Sequence, residues 1–412
     1  MHRSFFITVT CLLLVSIAFN LAVDPFATNR WLNINGFNSN KPDLETRQRL
    51  LKTFEVYRAE PSAVFLGSSR TDIGLNIANA RWGDDPVYNL GIAGAGVDEV
   101  KQFLWHAKAQ GRLKKAIIGL DFFMFNADYI HEGLTGFDHS ILTYPGDPNP
   151  LRELFSMLTI AMSRDTFNAS VAISINSLKR DTGTQYLSPK KTSKNHRHDI
   201  LKHAVNYLNT IYLPYKTGRF TFSNKSRGDM FEHFRQIVRF CYQHNIETRI
   251  FISPSHAWQW ELIDVAGLWP QFEYWKKTIV AIVEEEATQQ SRPPFMLWDF
   301  SGYNSVTTEA VPACESHDIM TGYRDSSHYQ PAVGRLVLKR LLDQASREVP
   351  DDFGVLVSTQ NINQHLSLIQ RDRERWRSSH PADQDEIRVL ARRVFAKESI
   401  TYDYVCPKTA LK

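Results

Sequence analysis

Apolar residues follow two rhythms along this chain. Four short runs are largely apolar, residues 62–67 (SAVFLG), 86–91 (PVYNLG), 116–121 (AIIGLD) and 295–299 (FMLWD), and a fifth, 247–253 (ETRIFIS), has an apolar centre at Ile250, Phe251 and Ile252. Runs of this length, rich in Val, Ile and Phe and closed by Gly, Asp or Ser, predict strands buried on both faces. Between them apolar residues return every third or fourth position, which is the helical period. One such stripe is Val100, Phe103, Leu104 and Ala107, opened by Asp98 as cap and stopped by Gly111. Others run through Met230, Phe234, Ile237, Val238 and Cys241; through Phe272, Trp275, Ile279, Ile282 and Val283; and through Val333, Val337, Leu338, Leu341 and Leu342. Strands separated by helices predict an α/β fold, a three-layer doubly wound parallel sheet with its chemistry at the carboxyl ends of the strands.

The amino terminus breaks the pattern. Residues 4–23 carry no charge; His2 and Arg3 precede them and Asp24 follows. At about 1.5 Å per residue they span about 30 Å, the thickness of a bilayer core. A transmembrane signal-anchor is favoured over a cleaved signal peptide, because the apolar stretch is long and Asn20-Leu21-Ala22 is a poor cleavage site. It is also favoured over a buried core helix. The basic end stays in the cytoplasm, so the rest of the chain is expected on the extracytoplasmic side. No second run approaches this length, so one span is expected.

Two regions fall outside the rhythm. Residues 128–226 are rich in Ser, Thr, Lys, Pro and Gly, with helical patches near 151–162 and 198–209, and read as a cap inserted into a domain of residues 50–350. Residues 351–412 read as a helical tail. Its charged run 371–377 is expected to be solvated and packed through Trp376, and a second helix is expected over 384–396.

Composition narrows the function. Lys and Arg total 48 against 44 Asp and Glu, a net charge of +4. No broad basic surplus is available for phosphates, so no nucleic-acid partner is expected. Hydrophobic residues at 43% and charged residues at 22% are globular values and exclude disorder for the bulk of the chain. The four cysteines, Cys11, Cys241, Cys314 and Cys406, lack CxxC spacing, so no zinc site is indicated. Cys314 and Cys406 can pair if the domain is extracytoplasmic. Gly91, Gly94 and Gly96 do not have dinucleotide spacing, and no metal or nucleotide cofactor is expected.

The candidate chemistry lies at two distant points. Residues 67–70 (GSSR) follow the first strand, where glycine permits a tight turn and a serine hydroxyl meets the ligand-binding edge. Residues 325–328 (DSSH) precede the last core helix. Asp325 and His328, three apart, lie on one face of a turn. The carboxylate can orient the imidazole, which can then take a proton from a serine. His256, after the fourth strand, faces the same edge and is a candidate substrate contact, although a structural turn is the commoner role. Trp258, Trp260, Trp269 and Trp275 suit core packing or sugar stacking. Glu284–Glu286 reads as a solvated helix end.

On these residues the chain resembles the SGNH, or GDSL-type, hydrolase superfamily over about residues 60–130 and 245–345. The resemblance implies Ser69 as nucleophile, with Ser68 in place of the family's Asp. It implies Asp325 and His328 as its partners, and an oxyanion hole from Ser69 and Gly94 in the 89–94 (NLGIAG) block. At the family's oxyanion Asn this chain has Asp121. An ionised carboxylate cannot donate there. Either Asp121 is structural, paired with Arg70, or Asn126 donates instead. Arg70, Asn89 and Asp121 remain candidate substrate-binding positions. The anchor and the two motif blocks are also similar to a narrower branch, the extracytoplasmic proteins related to alginate O-acetylation and teichoic-acid D-alanylation. That likeness implies an esterase or O-acyltransferase acting on acylated cell-envelope polysaccharide, beside a membrane-bound acyltransferase. A catalytically inactive member that binds polysaccharide or scaffolds an acyltransferase complex is the alternative.

Overall fold

The computed structural model describes residues 2–41, 44, 46–77, 82, 87–129, 137–147, 151–178, 196–213, 219–314, 316, 318–342 and 346–397. They fall into two compact units. One comprises Met1–Glu60, Trp105–Arg112 and Glu132–Lys191, the other Pro61–Leu104, Leu113–His131 and Thr192–Lys412.

The first unit is helical. It contains α1 (His2–Val23), α2 (Gln48–Ala59), α5 (Arg152–Ala161) and α6 (Arg164–Leu178). Helix α1 is long and apolar enough to cross a membrane, and little of it is buried within the protein. Below it a short loop is fixed by Asp24, whose carboxylate accepts from the Thr28 amide at 2.7 Å and the Arg30 amide at 2.8 Å. Helix α6 falls within the stretch expected to be irregular.

The second unit is built on a six-stranded sheet. Its strands are β1 (Ala63–Gly67), β2 (Val87–Gly91), β3 (Lys115–Leu120), β6 (Glu247–Ile252), β7 (Met296–Asp299) and β8 (Val355–Leu356), ordered β2-β1-β3-β6-β7-β8. The first five pair in parallel, with Gly67 opposite Gly91, Leu66 opposite Ile118 and Leu120 opposite Ile252. Only β8 runs antiparallel. Every residue of β1 is buried, as an apolar run demands when both faces of a parallel strand are covered. A two-residue hairpin, β4 (Ser223–Asn224) with β5 (Gly228–Asp229), precedes α8 (Met230–Gln243). Asp229 caps that helix through the amides of Phe231 and Glu232.

The strand order sets where a site can form. From β1 the chain moves to one side to make β2, then crosses to the other side to make β3, and continues outward. Between β1 and β3 the connections therefore leave in opposite directions, which in doubly wound sheets marks the strand ends where ligands bind. Ser68, Ser69 and Arg70 leave β1 at this point, and Asp121 leaves β3.

Within residues 351–412, expected to form a helical tail, two helices are described. Helices α12 (Ile362–Ser379) and α13 (Pro381–Phe395) belong to the second unit. His365 on α12 reaches the Asp299 carboxylate at 2.9 Å, beside the wholly buried Lys276, whose Nζ donates to the same carboxylate at 2.6 Å. Those two cations hold the Asp299 carboxyl well below the usual range against the opposing effect of burial. The charged run is not simply solvated either. Arg377 donates to Glu261 at 2.7 Å and also to Asp264, both on α9 (Ala257–Val265), while Arg373 stacks over Trp269 at 4.1 Å. Glu286, expected in solvent, is buried on α10 (Trp269–Gln289), where Arg239 contacts it at 2.9 Å. Trp258, Trp260, Trp269 and Trp275 are all buried and serve as core. Residues 192–226 of the expected insertion go with the second unit and 132–191 with the first.

Candidate active site

Gly67 ends β1 at φ +152°, a conformation that side-chain-bearing residues rarely adopt. A methyl group here would collide with Thr71 Oγ1 and come within 3.0 Å of the Gly119 carbonyl oxygen. The turn this permits opens α3 (Ser69–Gly74), with Ser68 as its cap. The Ser68 hydroxyl accepts from the Arg70 amide at 3.2 Å and donates to the Asp121 carboxylate. Ser68 is buried; Ser69, the next residue, is half-buried.

The second half of the site lies on the loop before α11 (Pro331–Leu342), where a single bridge pairs Tyr323 with Tyr329. Asp325 bends this loop by accepting from the amides of Ser327 at 2.8 Å and His328 at 2.9 Å. The same carboxylate receives His328 Nδ1, at 2.8 Å from Oδ2. His328 Nε2 lies 2.8 Å from Ser69 Oγ, across 259 positions of chain. The structure thus brings Ser69, His328 and Asp325 into one hydrogen-bonded line. Burial alone would raise the Asp325 carboxyl, but the His328 and His203 imidazoles and the loop amide hold it well below the ordinary carboxylate range. It is ionised at any pH at which the imidazole can act as a base.

Asp121 answers a question the sequence leaves open. Its carboxylate faces Arg70 Nη1 at 2.8 Å and the Ser68 hydroxyl, and both Asp121 and Arg70 are almost wholly buried. Burial works against the Arg70 cation. The Asp121 carboxylate outweighs it and holds the guanidinium pKa above its ordinary value. Arg70 also donates from Nε to Ser327 Oγ at 3.0 Å and from Nη2 to the Tyr207 hydroxyl at 3.2 Å. Arg70 and Asp121 therefore form a buried strut that joins the β1 turn, the β3 end and the 325–328 loop. These contacts do not suit them to the substrate-binding role considered for them.

Three further candidates are likewise committed elsewhere. Asn126 is wholly buried past the 3₁₀ turn Phe122–Phe125. Its amide donates to the Ile211 carbonyl at 2.9 Å and its oxygen accepts from the Asp128 amide at 3.1 Å, which corrects its expected place in the oxyanion hole. Asn89 secures the end of α3, donating to the Leu75 carbonyl at 2.8 Å and accepting from the Gly91 amide at 3.0 Å. His256 caps α9: Nδ1 accepts from the Trp258 amide at 3.3 Å, and Nε2 contacts the Glu309 carbonyl at 2.7 Å. Burial lowers its pKa, and both ring nitrogens are engaged. Its own amide binds the Ser326 carbonyl at 3.0 Å, so the post-β6 loop buttresses the 325–328 loop instead of offering a substrate contact.

Gly94 follows β2 at φ +64°, half-buried, and its N–H donates to no described residue. The Ile92 amide two positions earlier donates to the Gly67 carbonyl at 2.9 Å, so this turn is tied to the one that presents Ser69.

Two participants escape the sequence reading. His203 Nε2 lies 3.3 Å from Asp325 Oδ2, and the Tyr207 hydroxyl lies 2.5 Å from Ser327 Oγ. His203 is on α7 (His196–Asn206), and Tyr207 opens the π-helical turn Tyr207–Tyr212 that continues it. Their four-residue separation puts both on one helical face, which is the signal that identifies them. Burial lowers the His203 pKa despite the Asp325 charge, and raises that of Tyr207. His203, Asp325 and His328 also offer ligand atoms within 4.8 Å of one another, donor types suited to zinc. Both His328 nitrogens are already engaged, by Ser69 and Asp325, so an ion bound through either would break one of those contacts.

A recess of about 330 Å³ opens elsewhere, at the amino-terminal ends of β6 and β7 beside Tyr242, Arg249 and Phe295, the sheet end opposite the Ser69 line. Cys11 and Cys241 are free and Cys314 is in a disulfide; Cys406 lies outside the described residues. No protein-family model matches the chain, and no curated protein matches it.

Proposed function

We propose that this chain is an SGNH-type serine esterase or O-acyltransferase, held in the membrane by α1 with its catalytic unit on the extracytoplasmic side. Its substrates are acyl esters of cell-envelope polysaccharide. The observation that carries the reading is the pair of 2.8 Å contacts linking Ser69 Oγ to His328 Nε2 and His328 Nδ1 to Asp325. A hydroxyl, a base and an orienting carboxylate in that order are what acyl transfer through a serine ester requires. The five-stranded parallel core, with its connections diverging between β1 and β3, agrees with a three-layer SGNH arrangement. The uncharged run Ser4–Val23 of α1 and the basic residue before that run support the anchor and its direction.

In this mechanism His328 Nε2 accepts the Ser69 proton as Oγ attacks the acyl carbonyl. Asp325 stabilises the imidazolium that results. The N–H groups of Ser69 and Gly94 stabilise the oxyanion, each worth about 3 kcal/mol of barrier. The imidazolium then protonates the leaving alcohol, and a water or sugar hydroxyl, deprotonated by the same ring, releases the acyl group. The Asp121 charge is neutralised by Arg70, which removes much of the repulsion a carboxylate would otherwise exert near that oxyanion.

The alternative, an inactive protein that binds polysaccharide or scaffolds a membrane acyltransferase, draws on one observation: Asn126 supplies no side-chain donor to the oxyanion site. One experiment separates the two. The full-length protein in detergent is treated with a fluorophosphonate probe and assayed on an acetyl ester, alongside Ser69→Ala and His328→Ala. Labelling and turnover lost in both variants support catalysis. Equal labelling and turnover in wild type and Ser69→Ala overturn it.

A further inference from the structure

The anchor is bare over only part of its length. Residues 2–15 are exposed on every side, whereas from Ser16 onward protein packs against the helix and buries Asn20 and Val23. The packing comes from the α5–α6 hairpin. Asn20 Nδ2 donates to the Ala161 carbonyl at 2.8 Å, and the Phe19 ring meets Phe167 edge-on at 6.1 Å.

Length fixes the depth of this hairpin. The uncharged stretch Ser4–Val23 matches the bilayer core at about 30 Å, but its bare portion, Ser4–Val15, covers only about 18 Å. Whatever packs on Ser16–Val23 shares the remaining 12 Å or so. The outer surfaces of α5 and α6 suit that position. Leu154 is 44% exposed, Phe155 56%, Met162 64%, Phe167 41% and Ile175 47%. Between Leu154 and Leu178 the only charged residues are Arg164 and Asp165, and the Asp165 carboxylate lies 3.4 Å from Arg47. Just past the anchor, Trp31 stands 65% exposed, the residue type enriched where headgroups meet water. A monomer in water does not expose so many large apolar groups on one pair of adjoining helices without a partner.

We propose that α5 and α6 are a membrane-contacting hairpin. Their apolar faces rest in the acyl chains of the leaflet where α1 ends, so the chain is held by one span and by an embedded collar of about the depth known for interfacial helices. The occupant is lipid. Continuity with α1 selects it, because the lipid that covers the bare half of the helix reaches the hairpin packed on the other half. This inference rests on the anchor reading of α1.

The test uses the full chain, with Cys11→Ser as background, in phosphatidylcholine–phosphatidylglycerol vesicles with no other protein. Single cysteines replace Leu13, Phe155, Phe167 or Thr288, all exposed positions, and carry a bimane dye; Cys241 is buried and Cys314 is in a disulfide. Acyl chains brominated near the headgroup should quench the dye at 155 and 167 by half or more. Mid-chain bromines should quench it at 13, and neither should quench it at 288. Quenching at 13 without quenching at 155 and 167 overturns the hairpin and keeps the anchor, leaving a protein partner to cover α5 and α6. No quenching at 13 overturns the anchor, and the hairpin proposal falls with it.

Discussion

Replacing Asp121 by Asn would restore the residue type that the motif resemblance expects, and should damage the protein. Asp121 and Arg70 are a pair taken out of water together, with Nη1 and Oδ1 2.8 Å apart and side-chain exposures of 3% and 0%. Asparagine keeps an oxygen for Arg70 and can turn its amide toward the Ser68 hydroxyl. The contacts survive, with the Ser68 bond reversed in direction, and the charge is lost. Removing one member of a buried pair leaves the other uncompensated, which typically costs 3–5 kcal/mol. With the contacts retained, the expected loss is about 3 kcal/mol. For a domain of this size that lowers the melting temperature of the second unit by about 6–12 °C. Arg70 also holds Ser327, next to His328, so fluorophosphonate labelling of Ser69 should slow in parallel. The assay is thermal unfolding followed by intrinsic fluorescence, with Arg70→Gln and the double variant completing a cycle. The double variant should lose less than the sum of the singles, because the stranded cation is gone. An unchanged melting temperature in Asp121→Asn, or strict additivity in the cycle, would refute the strut.

Other outcomes follow from the same contacts. His203→Ala removes one polar contact from Asp325 and leaves three, so turnover on an acetyl ester should fall by about ten-fold, about 1.4 kcal/mol of barrier, without being abolished; His203→Gln should recover part of it, and an unchanged rate rules the contact out as functional. In the first unit, burial lowers the pKa of His106 to about 4, against about 6.5 in an unfolded chain. Unfolding therefore takes up a proton between those values: stability is complete above about pH 6.5 and falls by about 3 kcal/mol as pH drops toward 4. His106→Gln should flatten that part of a stability–pH curve, and an unaltered slope would count against the assignment. Deleting residues 351–412 should leave an insoluble or partly unfolded second unit, because His365 and β8 go with them; a truncated chain melting like its parent would refute this.

Much of the architecture is legible from pattern alone, for identifiable reasons. Parallel strands covered on both faces carry compact apolar runs, and all five parallel strands lie within a residue or two of the predicted ones, as Ala63–Gly67 does within 62–67; β6 is the least regular, with Ile250, Phe251 and Ile252 following a polar start. The helices on the sheet carry their stripes toward the core for the same reason. Helix α6 is hidden because its logic is reversed: Phe167, Val171 and Ile175 form a stripe, but Phe167 and Ile175 point outward while Thr166 and Ser170 are buried. The run 371–377 reads as solvated because its partners Glu261 and Asp264 are more than a hundred positions away. Ser69, Asp325 and His328 stand at the ends of regular elements, where spacing and strand order carry information. Asn126 lies only five positions from Asp121, yet the 3₁₀ turn between them carries it into the interior.

The Asp121 position shows why a motif read one residue at a time misleads. Under the proposed SGNH reading, Ser68 stands where an aspartate would be expected and Asp121 where an asparagine would. Taken singly, the second difference would place a repelling charge at an oxyanion site. Taken together, the two positions face each other, since the Ser68 hydroxyl donates to Asp121. The buried Asp121 charge requires a buried cation, which Arg70 supplies, and that cation requires further acceptors, which Ser327 and Tyr207 provide. Tyr207 comes from the stretch outside the resemblance, so the inserted helix is part of the same electrostatic adjustment. Each of these residues is explained by its neighbour and none by itself, so the five should tolerate exchange only as a group.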